Sequence, residues 1–217
     1  MKDSSEYLKN HDKAVSLSRE IKAGARDIGF FACGIAEARP VDPDTSIHIR
    51  HWLATHGNAD MDYMGNYTDK RLNPTLLMDG LKSIVSVALN YTPAKTLPKG
   101  QFQLSAYALG EDYHDIVKGK LRRLAERLHF EHYRAFCDSA PVLERYWAER
   151  AGLGWTGRNH QLIIPHAGSM FFLGELFLDQ ELVYDQPMKN HCGNCHRCID
   201  ACPTHALRQG QEIDANL

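Results

Sequence analysis

The residues best suited to chemistry are four closely spaced cysteines near the end of the 217-residue sequence. Their spacing is Cys-x2-Cys-x2-Cys-x3-Cys-Pro, and the four are Cys192, Cys195, Cys198 and Cys202. This spacing is typical of bacterial ferredoxins, in which three such thiolates bind one [4Fe-4S] cluster and the fourth binds a second cluster. The run therefore predicts half of a two-cluster site. Because the other two cysteines, Cys33 and Cys137, lie far upstream, we expect the chain to be a fragment of a longer protein.

Two other uses of these cysteines stay open. A zinc site normally combines two separated cysteine pairs, often with histidine, and His191, His196 and His205 lie close to the run. A disulfide framework is disfavoured, because six cysteines are few for a secreted scaffold of this length. Residues 1–10 are also polar and contain no apolar segment of the kind found in signal peptides. The cysteine usage thus favours a reducing cytoplasm.

The composition predicts a folded domain without a strong attraction to polyanions. Hydrophobic residues make up 43% of the chain, enough for one main core, and the formal net charge is −2. No stretch approaches the roughly 18 consecutive apolar residues of a transmembrane helix, so we expect no membrane partner and a cytoplasmic location. Positive charge concentrates between Lys118 and Arg127. This segment is a candidate contact for a phosphate backbone, although most charge runs are simply solvated.

Hydrophobic periodicity predicts a sheet covered by helices, which is an α+β fold. Apolar residues at three- and four-residue steps predict helices at 14–28, 117–128 and 142–151. Runs rich in β-branched and aromatic residues predict strands at 30–35, 83–91, 161–164 and 170–178. Pro141 suits the first turn of the third helix. We divide the chain into a main domain at residues 1–180 and a cysteine-containing appendage at residues 181–217.

Asp138 is the strongest candidate for acid–base chemistry. It follows the apolar residues 135–137 and precedes a predicted helix, so its carboxylate is placed to cap backbone N–H groups. The alternative is a general acid, which requires a partly desolvated carboxyl group with a raised pKa. Gly152, Gly154 and Gly157 follow this segment. They allow the backbone to approach a flat ligand closely, but glycines are equally common in ordinary turns.

Several segments together resemble the epoxyqueuosine reductase family over nearly the whole chain. The matching stretches are 71–74, 83–91, 110–114, 138–141, 154–159 and 192–204. Members of that family are cobalamin-dependent iron–sulfur enzymes that remove the epoxide oxygen from epoxyqueuosine in tRNA. The resemblance implies an α/β sandwich, similar to nitroreductases, that binds cobalamin and is followed by the start of a ferredoxin-like iron–sulfur domain. It also implies a tRNA substrate carrying epoxyqueuosine and an external electron donor.

The resemblance also implies roles for individual residues. Asp138 corresponds to the proton donor of the family. The residues implied to lie near the corrin of cobalamin are Arg71, Ser105, Asp138, Asn159, Leu162 and Leu173. The implied cluster ligands are Cys192, Cys195 and Cys198 for one [4Fe-4S] cluster and Cys202 for the other. Two residues depart from the family pattern, namely His160, which follows Asn159, and His205, which stands where glycine is common.

Three other functions stay open beside this one. A corrinoid reductase acting on another small substrate, such as an organohalide, would use the same cofactors, but a secretion signal would favour it and none is visible. A non-catalytic iron–sulfur electron-transfer protein predicts no corrin binding and no effect of Asp138→Asn. A flavin-dependent oxidoreductase is compatible with a nitroreductase-like architecture. The absorbance of the bound cofactor would distinguish a flavin enzyme from a corrinoid enzyme.

Overall fold

The computed structural model describes residues 2–98, 100–208, 210 and 213–217, with residues 2–7 described only as part of a helix. Its centre is an antiparallel four-stranded sheet. In spatial order the strands are β1 (Ala32–Glu37), β2 (Ser83–Asn90), β6 (Phe171–Leu178) and β3 (Tyr133–Phe136). A separate ribbon pairs β4 (Trp155–Thr156) with β5 (Leu162–Ile163). The described helices are α1 (Lys2–Asp27), α2 (Pro43–Ala54), α3 (Thr68–Leu72), α4 (Tyr113–Arg127), α5 (Glu144–Arg150) and α6 (Arg197–Asp200). The α+β class is therefore confirmed.

β2 and β6 form the buried centre of the sheet because most of their residues on both faces are apolar, with Ser83, Ser86 and Glu175 as buried polar exceptions. Residues 83–88 of β2 and residues 174–178 of β6 are all buried. Ile84 and Ala88 pack into the core on one face, and Val85 and Val87 pack into the core on the other. This alternation is the period of two that a strand imposes on its side chains. The sheet thus separates two apolar cores.

Helices cover both faces of the sheet. α1 and α4 lie on one face, where Ile21 of α1 and Leu121 of α4 are fully buried in the same core. The start of α4 is capped by Asp112, whose Oδ1 accepts a hydrogen bond from the His114 N–H at 2.9 Å. α5 lies on the opposite face and buries Trp147. In the part of the chain that the structure describes, no helix has the length and apolar character needed to cross a membrane.

The helices differ from the sequence prediction in physically understandable ways. The first helix was predicted to begin at residue 14, but α1 begins at Lys2. Its first turns are polar and carry no apolar stripe, so hydrophobic periodicity does not reveal them. α5 begins at Glu144 after the N-cap residue Leu143, so the placement of Pro141 in its first turn is wrong. The sequence analysis did not predict α2, which has no fully buried residue and therefore no strong hydrophobic pattern.

The predicted strands at 161–164 and 170–178 exist, but they belong to different sheets. β5 pairs with β4, whereas β6 pairs with β2 and β3 in the main sheet. A single bridge between Ile164 and Gly168 marks the turn between them. Hydrophobic runs reveal that a segment is extended but not which partner it takes.

Asp185 fastens the segment after β6 to the edge of the sheet. Its backbone N–H donates to the carbonyl oxygen of Ile35 at 2.8 Å, and its Oδ2 accepts the Ile35 N–H at 2.9 Å. Its Oδ1 lies 2.6 Å from Nζ of Lys22 in α1. Farther on, Nε1 of Trp52 donates to the carbonyl oxygen of Ile213 at 2.7 Å. The residues before and after the cysteine run are therefore both attached to the main part of the fold.

Gly34→Ala is expected to destabilise the fold by about 2–3 kcal/mol, because overpacking a well-filled core typically costs about 1–3 kcal/mol and sometimes more. A Cβ on Gly34 would lie 2.0 Å from the carbonyl oxygen of Ala151, which is backbone at the end of α5 and cannot rotate away. Gly65→Ala is the matched control, since a Cβ there meets nothing within 4 Å. Chemical denaturation of both variants checks this expectation. Equal free energies of unfolding for the two variants would contradict it.

Candidate active site

A cleft of about 960 Å³ opens on the face of the sheet that α5 covers. Residues of α2, α3, α5 and the loop 138–143 form its walls. Apolar side chains such as Ile49 and Trp52 line it together with many polar ones, of which Arg71, Asp138 and Glu144 bear most directly on its chemistry. A large concavity that combines apolar walls with convergent polar groups is typical of a cofactor or substrate site. We refer to this space as the cleft.

Asp138 follows β3 and presents its carboxyl group to the cleft. Its backbone φ of 59° lies in the left-handed region, which is unusual for a residue with a side chain. Its Oδ2 accepts a hydrogen bond from the Tyr113 hydroxyl and lies 3.5 Å from Nε2 of His114. The residue at the N-cap of α5 is Leu143, so the interpretation of Asp138 as a helix cap is wrong. The Asp138 side chain is 60% exposed, so the described residues alone leave its carboxyl group open to solvent.

Tyr113, the first residue of α4, orients this carboxyl group. Its ring stacks on Phe172 with centroids 4.2 Å apart and on His114 with centroids 4.0 Å apart. Burial raises the pKa of the Tyr113 phenol, and the hydrogen bond to Asp138 raises it further. The hydroxyl is therefore protonated at neutral pH and donates to Asp138. The sequence analysis noted Tyr113 only as part of a matching stretch and assigned it no role.

Glu144, the first residue of α5, holds the backbone of the same residue. Its Oε1 accepts a hydrogen bond from the backbone N–H of Asp138. Burial raises the pKa of Glu144 above its ordinary value, although the hydrogen bond from Asp138 opposes this shift. Asp138 is thus held by its side chain from α4 and by its backbone from α5. From the sequence, Glu144 belongs to a stretch that suggests an active-site wall but has no individual role, because a glutamate in the first turn of a helix is ordinary.

Arg71 brings a buried positive charge to the cleft. The residue is only 8% exposed, and its Nε has no hydrogen-bond partner among the described residues. Its Nη2 reaches the carbonyl oxygen of Tyr63 at 3.5 Å, and none of the ion pairs in the described part of the chain involves Arg71. Burial lowers the pKa of the guanidinium group. Buried donors are normally satisfied, so this site suits a ligand that offers an anionic or carbonyl oxygen.

The structure brings together some of the predicted site residues and not others. Arg71 and Asp138 line the cleft. Ser105 is exposed just before a short 3-10 turn, and Oδ1 of Asn159 accepts the N–H of Gln161 at 3.2 Å. The remaining two, Leu162 and Leu173, pack into the core beneath the cleft.

The cysteine run lies on a loop and on the short helix α6, and all of its thiols are free. Arg158 holds the loop by donating to the carbonyl oxygens of Cys195 at 2.5 Å and Gly193 at 2.8 Å. Backbone N–H groups, chiefly that of Leu207, lower the pKa of the Cys202 thiol. Within the described residues, however, no three His, Cys, Asp or Glu side chains are gathered closely enough to hold a metal ion. The donor types suit a cluster, but the thiols do not converge.

Comparisons with known sequences all lead to the same family. A family sequence model described as "Epoxyqueuosine reductase QueG, DUF1730" matches residues 71–139. An epoxyqueuosine reductase from Cellulophaga algicola is 44% identical over 200 residues, which cover 90% of this chain and 65% of that protein. One from Leadbetterella byssophila is 45% identical over 203 residues, which cover 92% of this chain and 67% of that protein. The chain thus spans about two thirds of the length of these curated relatives.

Solved structures extend the similarity to three dimensions. Epoxyqueuosine reductase from Streptococcus thermophilus superposes with a TM-score of 0.82 at 29% identity, covering 91% of this chain and 55% of that chain. An epoxyqueuosine reductase bound to an epoxyqueuosine-modified tRNA-Tyr stem loop gives a TM-score of 0.83 at 28% identity, covering 93% of this chain and 55% of that chain. The catabolic reductive dehalogenase NpRdhA shares the fold alone, with a TM-score of 0.50 at 17% identity over 82% of this chain and 22% of that chain.

Proposed function

Because the chain belongs to the epoxyqueuosine reductase family, we propose that it contains the catalytic part of an enzyme that reduces epoxyqueuosine in tRNA to queuosine. The observation that carries this proposal is the placement of Asp138 on a large cleft, oriented by Tyr113 and held by Glu144. Removal of an epoxide oxygen as water consumes two electrons and two protons, and the electrons would come from the external donor. Asp138 is the group that would deliver the first of these protons to the oxygen as general acid, and the second would come from solvent.

The cleft is proposed to bind cobalamin, which when bound would supply the reducing metal centre for the epoxide. The unpaired Nε of Arg71 supports this assignment, because a corrinoid carries amide and phosphate oxygens that a guanidinium group binds well. Ser105, Asn159, Leu162 and Leu173 stay as proposed contacts on the family resemblance alone. The apolar cleft walls would exclude water from Asp138 once a flat ligand fills the space.

The four cysteines stay as proposed [4Fe-4S] ligands because of their spacing. Cys192, Cys195 and Cys198 would serve one cluster and Cys202 the other, within a ferredoxin-like segment at 181–217 that follows a nitroreductase-like domain at 1–180. Their thiols do not converge among the described residues, so the arrangement differs from a preformed cluster site. Electrons would come from an external donor.

The substrate is proposed to be tRNA carrying epoxyqueuosine. The relative that was solved with a modified tRNA stem loop supports this choice. The stem loop must reach the cleft for its modified base to approach Asp138.

Anaerobic titration of this chain with cobalamin, followed by visible absorbance, tests the proposal. We expect saturable binding to the wild type, weakening of at least about tenfold for Arg71→Met through the lost charge-assisted hydrogen bonds, and no change for the exposed control Arg19→Met. The cobalamin-loaded chain, given a chemical reductant and an epoxyqueuosine-modified stem loop, should then form queuosine by mass spectrometry. Flavin binding without cobalamin binding would favour a flavin enzyme, and binding of neither would favour an iron–sulfur electron-transfer protein.

A further inference from the structure

Glu175 is a carboxyl group in the middle of the sheet that no described donor satisfies. It lies on β6 with 0% exposure, between Ser86 on β2 and Phe136 on β3. Neither of its carboxyl oxygens receives a hydrogen bond from any described protein donor, and no described ion pair includes it. Such a group is rare, because buried polar atoms in folded proteins nearly always have partners.

The groups that face Glu175 offer no compensating positive charge. Glu144 on α5 interacts with it directly, and its negative charge disfavours the ionised form of Glu175. Cys137 follows β3, and burial raises the pKa of its thiol, so it is uncharged at neutral pH. Arg145, next along α5, directs its guanidinium group to the carbonyl oxygen of His160. The charge of Arg145 favours the ionised form of Glu144 and not that of Glu175. An ionised Glu175 would therefore be a buried and uncompensated charge.

A single proton shared by the two carboxyl groups removes the unfavourable burial of two neighbouring negative charges. Two ionised carboxylates have only acceptor oxygens and repel each other, whereas a protonated carboxyl group can donate a hydrogen bond to a carboxylate. Burial raises the pKa of Glu175 well above its ordinary value, and it raises the pKa of the less deeply buried Glu144 as well. Groups coupled in this way titrate as a pair. Since Glu175 is the more deeply buried of the two, the proton belongs on Glu175.

We propose that Glu175 and Glu144 form a carboxylic acid–carboxylate pair holding one proton at neutral pH, and that this pair positions the loop of Asp138. The donor is Glu175, and the acceptor is the Glu144 carboxylate. Because the Glu144 carboxylate also accepts the Asp138 N–H, the pair fixes the one residue of the loop that has a left-handed backbone. Glu144 and Glu175 are thus positioning residues. The effect of these residues on turnover rests on the proposed function. The number of protons that the pair holds and its hydrogen bond to the Asp138 loop do not.

Infrared spectroscopy of this chain tests the proton. We expect the C=O stretching band of a buried protonated carboxyl group at neutral pH in the wild type and in Glu144→Gln, and its loss in Glu175→Gln. Glu126→Gln, on an exposed part of α4, is the matched control and should keep the band. Absence of the band from the wild type, or its survival in Glu175→Gln, overturns the proposal. Should Glu175→Gln fail to fold, isotope-labelled glutamate in the wild type still reports a protonated side chain directly.

Hydrogen exchange at the Asp138 amide tests the hold on the loop. Glu144→Ala removes the acceptor, so exchange should become at least about tenfold faster, which corresponds to the loss of about one hydrogen bond to a charged group. Glu144→Gln keeps an oxygen in the same place and should keep the protection. Equal exchange rates in the two variants overturn the positioning role. Neither measurement needs cobalamin, tRNA or turnover, so a failure of the proposed function is distinguishable from a failure of this inference.

The pair also predicts the pH dependence of stability. Because its pKa values are raised on folding, the native state retains protons that the unfolded chain releases. The midpoint of thermal unfolding should therefore fall as pH rises above 4.5, the ordinary pKa of glutamate, and should continue to fall through neutral pH while Glu175 keeps its proton. In Glu175→Gln the amide donates to an ionised Glu144, and we expect less than half of this fall to remain. A fall as large as that of the wild type would contradict the pairing.

Discussion

Asp138→Asn is expected to lower the rate of epoxide reduction by about 10²–10⁴-fold, the usual contribution of a general acid. Asparagine has nearly the same shape, and its side-chain oxygen can still accept the hydrogen bond from the Tyr113 hydroxyl. The backbone N–H that Glu144 binds is also unchanged. What asparagine lacks is a proton that it can give to a departing oxygen. The loss should therefore appear in the chemical step and not in ligand binding.

Single-turnover conversion of the modified stem loop, measured beside cobalamin affinity, separates these two effects. Asp12→Asn, on an exposed part of α1, makes the same chemical change away from the cleft and should leave both quantities as in the wild type. A normal rate in Asp138→Asn would show that the proton comes from another group, for which the Tyr113 hydroxyl is the nearest candidate. A large loss of cobalamin affinity would instead show that Asp138 serves binding.

Trp147→Ala is expected to destabilise the protein by about 3–5 kcal/mol, the cost of truncating a fully buried large aromatic side chain. Trp147 is 1% exposed and lies in the core between α5 and the sheet. It follows Glu144 by three residues, so it sits one helical turn along α5 on the same side. The cavity should therefore loosen the start of α5 and, with it, the acceptor of the Asp138 N–H.

Chemical denaturation measures the loss of stability in Trp147→Ala, and hydrogen exchange at Asp138 measures the loosening. Phe102→Ala removes a comparable aromatic side chain that is 84% exposed, and it should change the free energy of unfolding by less than about 0.5 kcal/mol. Equal free energies of unfolding for the two variants would show that the packing of Trp147 between α5 and the sheet contributes little to stability.

The parts of the fold that the sequence predicts well are those whose hydrophobic pattern is local. The strand predicted at 83–91 closely matches β2, because its apolar residues face a core on both sides. The helix predicted at 117–128 corresponds to α4, which begins four residues earlier and ends at Arg127, because its apolar residues recur on one face. The pairing of β5 with β4 was not predictable, because strand partners depend on contacts between distant residues.

The same distinction applies to the site. Asp138 was identified because it follows an apolar strand and matches a family motif, and the structure places it on the cleft. Glu175 was overlooked, because a single glutamate inside the apolar run 171–178 carries no local signal of a role. Its importance becomes visible only when β6 is placed under α5, which brings Glu144 against it. Burial without a partner is a property of the tertiary structure and not of a motif.

The attachment of Asp185 to Ile35 also covers a position at which a second polypeptide could add a strand to the sheet. β1 is an edge strand, and the open side of such a strand is a template on which another polypeptide can add a strand. Asp185 covers this side at Ile35 by bonding both its N–H and its carbonyl oxygen. The segment that leads to the cysteine run therefore blocks the addition of another strand at this position.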